Sequence, residues 1–360
     1  MRAALTNTDP SLRRAWHPVA RTADVGAGPV KTRLLGEDWI LVRLGGEVAA
    51  FPDRCPHRLA PLSAGWVDEI GGRAVLRCGY HGWCFDGDGV CVEIPALGAG
   101  DHIPPRARLD RPHAVSERYG MVWLAIEPPM AAIPEVPEFE DARFARSEIA
   151  AITSAVGAGL IMDNFLDTAH FPFVHAATIG LPDDPGVEVA VVEPVELGFL
   201  AHYEHDFDNH TDAGVRAGHR RLRQRRRLEY RYAAPFGMNL RIDELDAGRT
   251  NVIVLFVQPR DAAGCVLFTA VLRAGGSASA DEMADALAYE LAILGEDLVV
   301  QERYADLSLP LDVTAECHTR ADRVTLELRR TLAEFVAAAT RPEVPGVERR
   351  SNPEPTRSSA

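Results

Sequence analysis

The sequence predicts an α+β protein: a small all-β domain first, then a larger domain that combines antiparallel strands with long helices. Three observations predict it. Between Trp16 and about Pro128, short apolar runs such as Trp39-Ile40-Leu41-Val42 and Val122-Trp123-Leu124-Ala125-Ile126 alternate with Gly, Pro and Asp turns. Between about Val187 and Val271 come further β-type runs, among them Val252-Ile253-Val254-Leu255-Phe256-Val257. Helical patterns lie near residues 158–170, 280–303 and 320–339.

The elements follow in order. Asp86-Gly87-Asp88-Gly89 is a hairpin turn signal, because glycine supplies the positive φ that tight turns need. Pro128, Pro129, Pro134 and Pro137 suggest a linker between domains at 14–128 and 129–340. The segment 341–360 is rich in Pro, Glu, Arg and Ser and is expected to be disordered.

The net charge is -14, which argues against general affinity for nucleic acid or anionic membrane. No apolar run approaches the roughly 20 residues of a membrane-spanning helix. Met1 to Trp16 is polar and basic with no apolar core of a secretory signal, so a cytoplasmic location is expected. The six cysteines are too sparse for a disulfide scaffold. Cys84, Cys91, Cys265 and Cys317 lack a neighbouring histidine and are expected to pack as small apolar residues.

Cys55-Pro56-His57 precedes Cys78-Gly79-Tyr80-His81 by 20 residues. Each half offers one thiolate and one imidazole. Two thiolates suit one iron of a [2Fe–2S] unit and two imidazoles the other, an arrangement that raises the reduction potential. A structural zinc site accepts the same ligand types, but the C-x-H and C-x2-H spacing is unlike that of a zinc finger. Cys55-Pro56-His57-Arg58 and Cys78-Gly79-Tyr80-His81-Gly82-Trp83 resemble the cluster-binding loops of the Rieske non-haem iron oxygenases. Tyr80 and Trp83 are expected to serve packing rather than electron conduction.

A second constellation lies at Asp163-Asn164-Phe165-Leu166-Asp167-Thr168-Ala169-His170-Phe171-Pro172-Phe173-Val174-His175. Two histidines five apart would point about 140° apart on one helix. Pro172 is expected to break the helix between them, so that His175 folds back toward His170. Two histidines and a carboxylate make a facial triad for Fe(II) with positions left open for O2. Asp167 precedes His170 by three residues, which puts both on one helix face and lets Asp167 orient the ring.

The third ligand must come from elsewhere. Near 280–303, Leu287, Leu291, Leu294 and Leu298 form an apolar stripe. Glu296 faces away from it and is expected to be solvated; Asp297 lies at the core boundary, and Glu302 competes. The run Glu296-Asp297-Leu298-Val299-Val300 resembles the family segment that supplies the ligand, particularly in the vanillate O-demethylase and dicamba monooxygenase branch, and so favours Asp297.

The resemblance implies a Rieske domain followed by a helix-grip (START-like) catalytic domain. It implies a [2Fe–2S] cluster on Cys55, His57, Cys78 and His81, mononuclear Fe(II) on His170, His175 and Asp297, and a role for Asp167 in bridging His170 to His81 of a neighbouring subunit. It further implies a homotrimer, O2 and a small organic substrate, and a separate NAD(P)H-dependent reductase or ferredoxin as electron donor. The compact chain favours monooxygenation, as hydroxylation or demethylation, over ring cis-dihydroxylation. An electron-transfer protein without oxygenase activity is the alternative of another class. The Arg220–Arg227 run is expected to be a solvated edge or ion-pair network rather than a docking surface. His202, His205, His210 and His219 show no convergent metal pattern. Leu160, Phe165 and Phe173 are candidates to line the iron site or the core. The residues give no reading of the substrate.

Overall fold

The computed structural model describes residues 4–98, 101–176, 178–209, 213–274 and 278–341. His210 and all but the first residue of the expected tail lie outside them.

The N-terminal part is all β. Strands β1 (Trp16–Arg21), β2 (Val30–Leu34), β3 (Glu37–Leu44), β4 (Glu47–Pro52), β5 (Trp66–Ile70), β6 (Arg73–Arg77), β7 (Cys84–Phe85), β8 (Cys91–Glu93), β9 (Ala114–Arg118) and β10 (Met121–Ala125) form three antiparallel sheets. Their orders are β2-β3-β4, β5-β6-β7-β8 and β9-β10-β1. The expected hairpin turn joins β7 to β8: Asp86 Oδ1 accepts from the amides of Asp88 and Val90, and Gly89 has φ of +73°.

The run Trp39-Ile40-Leu41-Val42 has no alternation because it is buried on both faces. Ile40, Val42 and Leu44 join the core that contains Cys55 and Cys78. Trp39 and Leu41 join the main core, which runs on into Leu255 and Val257 of the C-terminal sheet. The two halves are also joined through backbone hydrogen bonds, Leu35 N to Pro259 O at 2.9 Å and Gly36 N to Arg260 O at 2.9 Å.

The proline-rich stretch is a packed strap and not a loose linker. Ile133 and Val136 are buried, and the Val136 amide donates to the Tyr119 hydroxyl at 3.0 Å. Prolines need no amide partner, which suits a strap that crosses the surface without pairing.

The C-terminal part is a large antiparallel sheet built from β11 (Ala150–Ser154), β12 (Val191–Val195), β13 (Gly198–Asp208), β14 (Arg223–Ala233), β15 (Gly237–Glu244), β16 (Arg249–Asp261) and β17 (Gly264–Ala274), with Ala145–Arg146 at its edge. The order is β12-β13-β14-β15-β16-β17, and β11 pairs with β17. Among its helices, those that position the site are α1 (Ala158–Leu166), the single-turn α2 (Phe171–Val174), α3 (Ala280–Gln301) and α4 (Arg323–Ala339). A capping box at Ser279 and Glu282 starts α3. Arg329 of α4 is buried and grips Asp163 of α1 and Glu316, which fixes α1 against α4. Asn7, from the polar N-terminal segment, is buried: its Oδ1 accepts from Ala158 N at 2.8 Å and its Nδ2 donates to Gly264 O at 2.9 Å. It thereby caps the start of α1.

His17 in β1 is fully buried and donates from Nε2 to Leu12 O at 2.8 Å. Burial holds its pKa down to about 4, against the opposing effect of that hydrogen bond. The folded protein therefore keeps His17 neutral where the unfolded chain protonates it, and stability falls as pH drops from 6.5 toward 4. Between pH 7 and pH 5 this one residue removes about 2 kcal/mol. Denaturant titrations of the wild type and His17→Gln at both pH values should show that much less acid sensitivity in the variant; equal sensitivity would reject the assignment.

Candidate metal centres

The first centre sits at the tips of two loops, one after β4 and one after β6. Cys55 and Cys78 are buried, while His57 is half-buried and His81 exposed. The His57 and His81 ring centres lie 4.5 Å apart. Trp83 stacks on His57 with centres 4.6 Å apart and planes 8° apart, so it packs as expected. Tyr80 packs on His81 at 3.9 Å but is 65% exposed, so it belongs to the surface. Gly79 and Gly82 permit the loop. A Cβ on Gly79 would fall 2.4 Å from Ala64 O, and Gly82 has φ of +71°.

Burial and the nearby Cys78 push the Cys55 thiol up to about 11, against the lowering by the His57 and Arg58 amides. His57 Nδ1 is buried with no hydrogen-bond partner among the described residues. Two sulfurs in an apolar pocket, two imidazoles beside them and an orphaned ring nitrogen fit a [2Fe–2S] cluster, which Cys55, His57, Cys78 and His81 would hold.

The second centre is assembled from α1, α2 and α3. The helix ends at Leu166, four residues before the sequence pattern suggests. Asp167 has φ -84° and ψ 132°, and its Oδ1 accepts from Ala169 N at 2.8 Å. This turn competes with helix continuation. Pro172 does not make the break: it sits in the first turn of α2, where its missing amide costs nothing. Asp167 and His170 still meet, Oδ2 to Nδ1 at 3.3 Å, across a turn and not along a helix face.

Three groups converge. Asp297 Oδ1 lies 3.3 Å from His170 Nε2 and 3.1 Å from His175 Nε2, and the two Nε2 atoms are 3.2 Å apart. Their ligand atoms all lie within 4.8 Å of one another. Burial alone would lower the His170 pKa, but Asp167 and Asp297 hold it at about 9; His175 is raised against the same burial by Asp297 and Glu296. Burial would raise Asp297, and the two imidazoles bring it down to about 2. Each histidine has its outer nitrogen on a carboxylate and its inner nitrogen at the shared point. That is the donor set a divalent iron accepts, with the outer carboxylates fixing the tautomers. Asn164 Nδ2 donates to Asp297 Oδ1 at 3.3 Å.

Glu296 is not solvated. Its Oε2 accepts from His175 Nδ1 at 2.7 Å and from Thr178 Oγ1 at 3.0 Å. The leucine stripe misplaced the inward face of α3. At 100° per residue, Met283, Glu290, Leu294, Asp297 and Gln301 fall within about 60° of one another, and three of them are buried. That face lies about 60° from the leucine centre. Glu296 falls on the opposite flank, where His175 and Thr178 meet the helix. Glu302 accepts from Ser154 Oγ at 3.2 Å, away from the histidines.

The centre opens into a cavity of about 500 Å³ between α3 and the sheet. Phe165 lines it, whereas Leu160 belongs to the core and Phe173 is 75% exposed. The arginine run divides by strand alternation. Arg223, Arg225 and Arg227 face outward onto Asp208, Glu204 and Asp206, as the ion-pair reading expects. Arg226 points inward and lines the cavity, which that reading did not foresee. His205 accepts from Arg226 Nε at 2.7 Å. Of the four cysteines expected to pack, Cys84, Cys91 and Cys265 are buried; Cys317 is exposed, because it lies in an irregular surface segment between Ala315 and Arg320.

Comparisons with known proteins agree with this geometry. Residues 15–110 match the Rieske [2Fe-2S] domain, and residues 155–338 match the vanillate O-demethylase oxygenase C-terminal domain. The chain is 29% identical over 336 residues to methylxanthine N1-demethylase NdmA of Pseudomonas putida, covering 91% of this chain and 90% of that protein. The structure of Pseudomonas putida CBB5 NdmB superposes with a TM-score of 0.78 at 26% identity, covering 93% of this chain and 98% of the other. Dicamba monooxygenase bound to dicamba shares the fold, with a TM-score of 0.74 at 24% identity, covering 93% and 99%.

If Glu296 fixes the His175 ring, Glu296→Ala should weaken mononuclear iron binding about 10- to 100-fold. Cluster absorption should not change. Iron affinity equal to the wild type would show that the contact is incidental.

Proposed function

Because the chain belongs to the Rieske non-haem iron terminal oxygenases of the vanillate O-demethylase type, we propose that it hydroxylates or demethylates a compact aromatic or cyclic substrate. Residues 14–128 form the cluster domain and 129–340 the catalytic domain. Cys55, His57, Cys78 and His81 hold the [2Fe–2S] cluster, and His170, His175 and Asp297 hold the mononuclear iron. The observation that carries the reading is the approach of both Nε2 atoms to one oxygen of Asp297. It leaves the cavity side of the centre open, as O2 and substrate require.

The bound metals supply one-electron steps and O2 activation; the balanced outcome is one oxygen atom inserted into a C–H bond and one reduced to water by two electrons and two protons. Where the hydroxylated carbon is a methyl on nitrogen or oxygen, the product breaks down to formaldehyde and the demethylated compound. The chain's own residues do the rest. Glu296 and Asp167 hold the outer nitrogens of His175 and His170 and so aim both rings. Phe165 and the apolar residues of the sheet exclude water around the substrate.

We assign electron supply to a separate reductase or ferredoxin, and assembly to a homotrimer. His81 is exposed beside Tyr80 and Leu59, which are 65% and 70% exposed. Asp167 keeps 30% of its side chain accessible, near the exposed Phe173. Pairing these two surfaces across subunits would bring a cluster histidine to Asp167. Among the described residues no helix is long and apolar enough to cross a membrane. The free thiols suit the cytoplasm.

Two variants test this reading. Asp297→Ala should reduce iron from about three atoms per chain to about two and abolish substrate-dependent O2 uptake. Asp167→Asn should keep the cluster absorption and the mononuclear iron while product formation falls ~100-fold or more. Retention of the third iron in the first variant, or normal turnover in the second, would refute the corresponding role.

A further inference from the structure

Arg226 is 6% exposed and lines the cavity, yet among the described residues no carboxylate lies within salt-bridge distance of it. Its surroundings are unusual for a buried cation. Its Nε donates to His205, whose pKa is pushed down to about 3 by burial and then by Arg226 itself, so that partner stays neutral. Its guanidinium lies over the Phe207 ring, 4.4 Å from the centre. Its cross-strand neighbour is Glu244, but that carboxylate is already occupied. It accepts from Arg249 at 2.8 Å, from Asn209 at 2.9 Å and from Asn251 at 2.9 Å.

The cavity has two chemically different ends. Of the inward residues of β14, Tyr230, Leu228 and Arg226 line the cavity in alternation. Tyr230 lies at the end nearer Asp167, whose charge reaches it. Arg226 lies four residues away, about 13 Å along the strand. Glu290 of α3 faces the same end. It precedes Asp297 by seven residues, on the same helix face and about 10 Å along the axis. Its charge reaches Arg226 and Arg273 without pairing with either, and burial raises its pKa to about 7. Arg273, whose Nε donates to Asn251 Oδ1 at 2.8 Å, adds positive charge nearby. Leu228 and its cross-strand partner Ile242 line the stretch between the ends, while Leu240 and Ile253 lie level with Tyr230.

We propose that Arg226 is an anion-binding, specificity-determining residue, and that the substrate is a ring-sized compound with a carboxylate at the end opposite the carbon to be oxidised. A buried guanidinium whose one hydrogen-bond acceptor is neutral is costly, and the Phe207 ring and the unpaired Glu290 offset that only in part; a ligand anion would complete it. Its planar donor pair suits a carboxylate, which it can bind through two parallel hydrogen bonds. The rise of about 10 Å along α3 from Asp297 to Glu290, which faces the charged end, leaves room for one substituted ring. The proposal rests on the oxygenase reading for the word substrate, but not for the binding itself.

Calorimetric titration of the full-length, iron-loaded protein tests it, with benzoate, 4-methoxybenzoate and the matched amides as probes. The wild type should bind the carboxylates at least about 10-fold more tightly than the amides. Arg226→Gln should weaken carboxylate binding about 10- to 100-fold and leave the amides unchanged, and Arg226→Lys should recover part of the preference. Glu290→Gln should tighten carboxylate binding by removing the nearby negative charge. Wild-type binding of the amides as tightly as the acids, binding of neither, or preference retained in Arg226→Gln overturns the proposal. Thermal denaturation of each variant separates lost binding from lost folding. Reductant-driven O2 uptake is measured apart: Arg226-dependent binding without uptake would count against the oxygenase reading and leave the anion site standing.

Discussion

Asp297 can meet two histidine nitrogens because the chain from Asp167 to His175 turns back toward α3, and the anchoring of α1 holds that turn in place. The turn at Asp167 ends α1 early, and the following single turn carries His170 and His175 to the same side. α1 is held in place from outside the site by Asn7 at its start and Arg329 at its flank. Each of these contacts is polar and buried, so each is directional, and a loss would misplace the rings rather than merely loosen the core.

The two halves of the chain are coupled by alternation in single strands. In β3, Ile40, Val42 and Leu44 fill the core under the cluster loops, and Trp39 and Leu41 fill the core shared with the large sheet. A one-residue slip in that strand would exchange the two sets, so register fixes the cluster loops relative to the catalytic sheet. The same alternation in β14 turns Arg223, Arg225 and Arg227 outward into ion pairs while sending Arg226 into the cavity. Adjacent residues of one type thus do different work.

Polar residues on α3 show why the inward face was hard to read. A helix face is ordinarily recognised by its apolar residues. Here the face toward the sheet carries Glu290, Asp297 and Gln301, and the leucines lie to one side of it. The cavity is what allows this. A wall of a substrate site need not be apolar, because ligand and metal supply partners that a packed core could not.

The sequence by itself determined the two-part α+β plan, the cluster loops, the histidine pair and the candidacy of Asp297. These rest on local chemistry: rare residue types at short spacings, and apolar periodicity long enough to mark strands and helices. Tertiary structure alone decided the role of Glu296, the packed strap at 128–137, the cap from Asn7 and the inward turn of Arg226. Each depends on a partner 17 or more residues away in the chain, or on which side of a strand faces the cavity. Such relations are set by how elements pack, and no spacing within one segment encodes them.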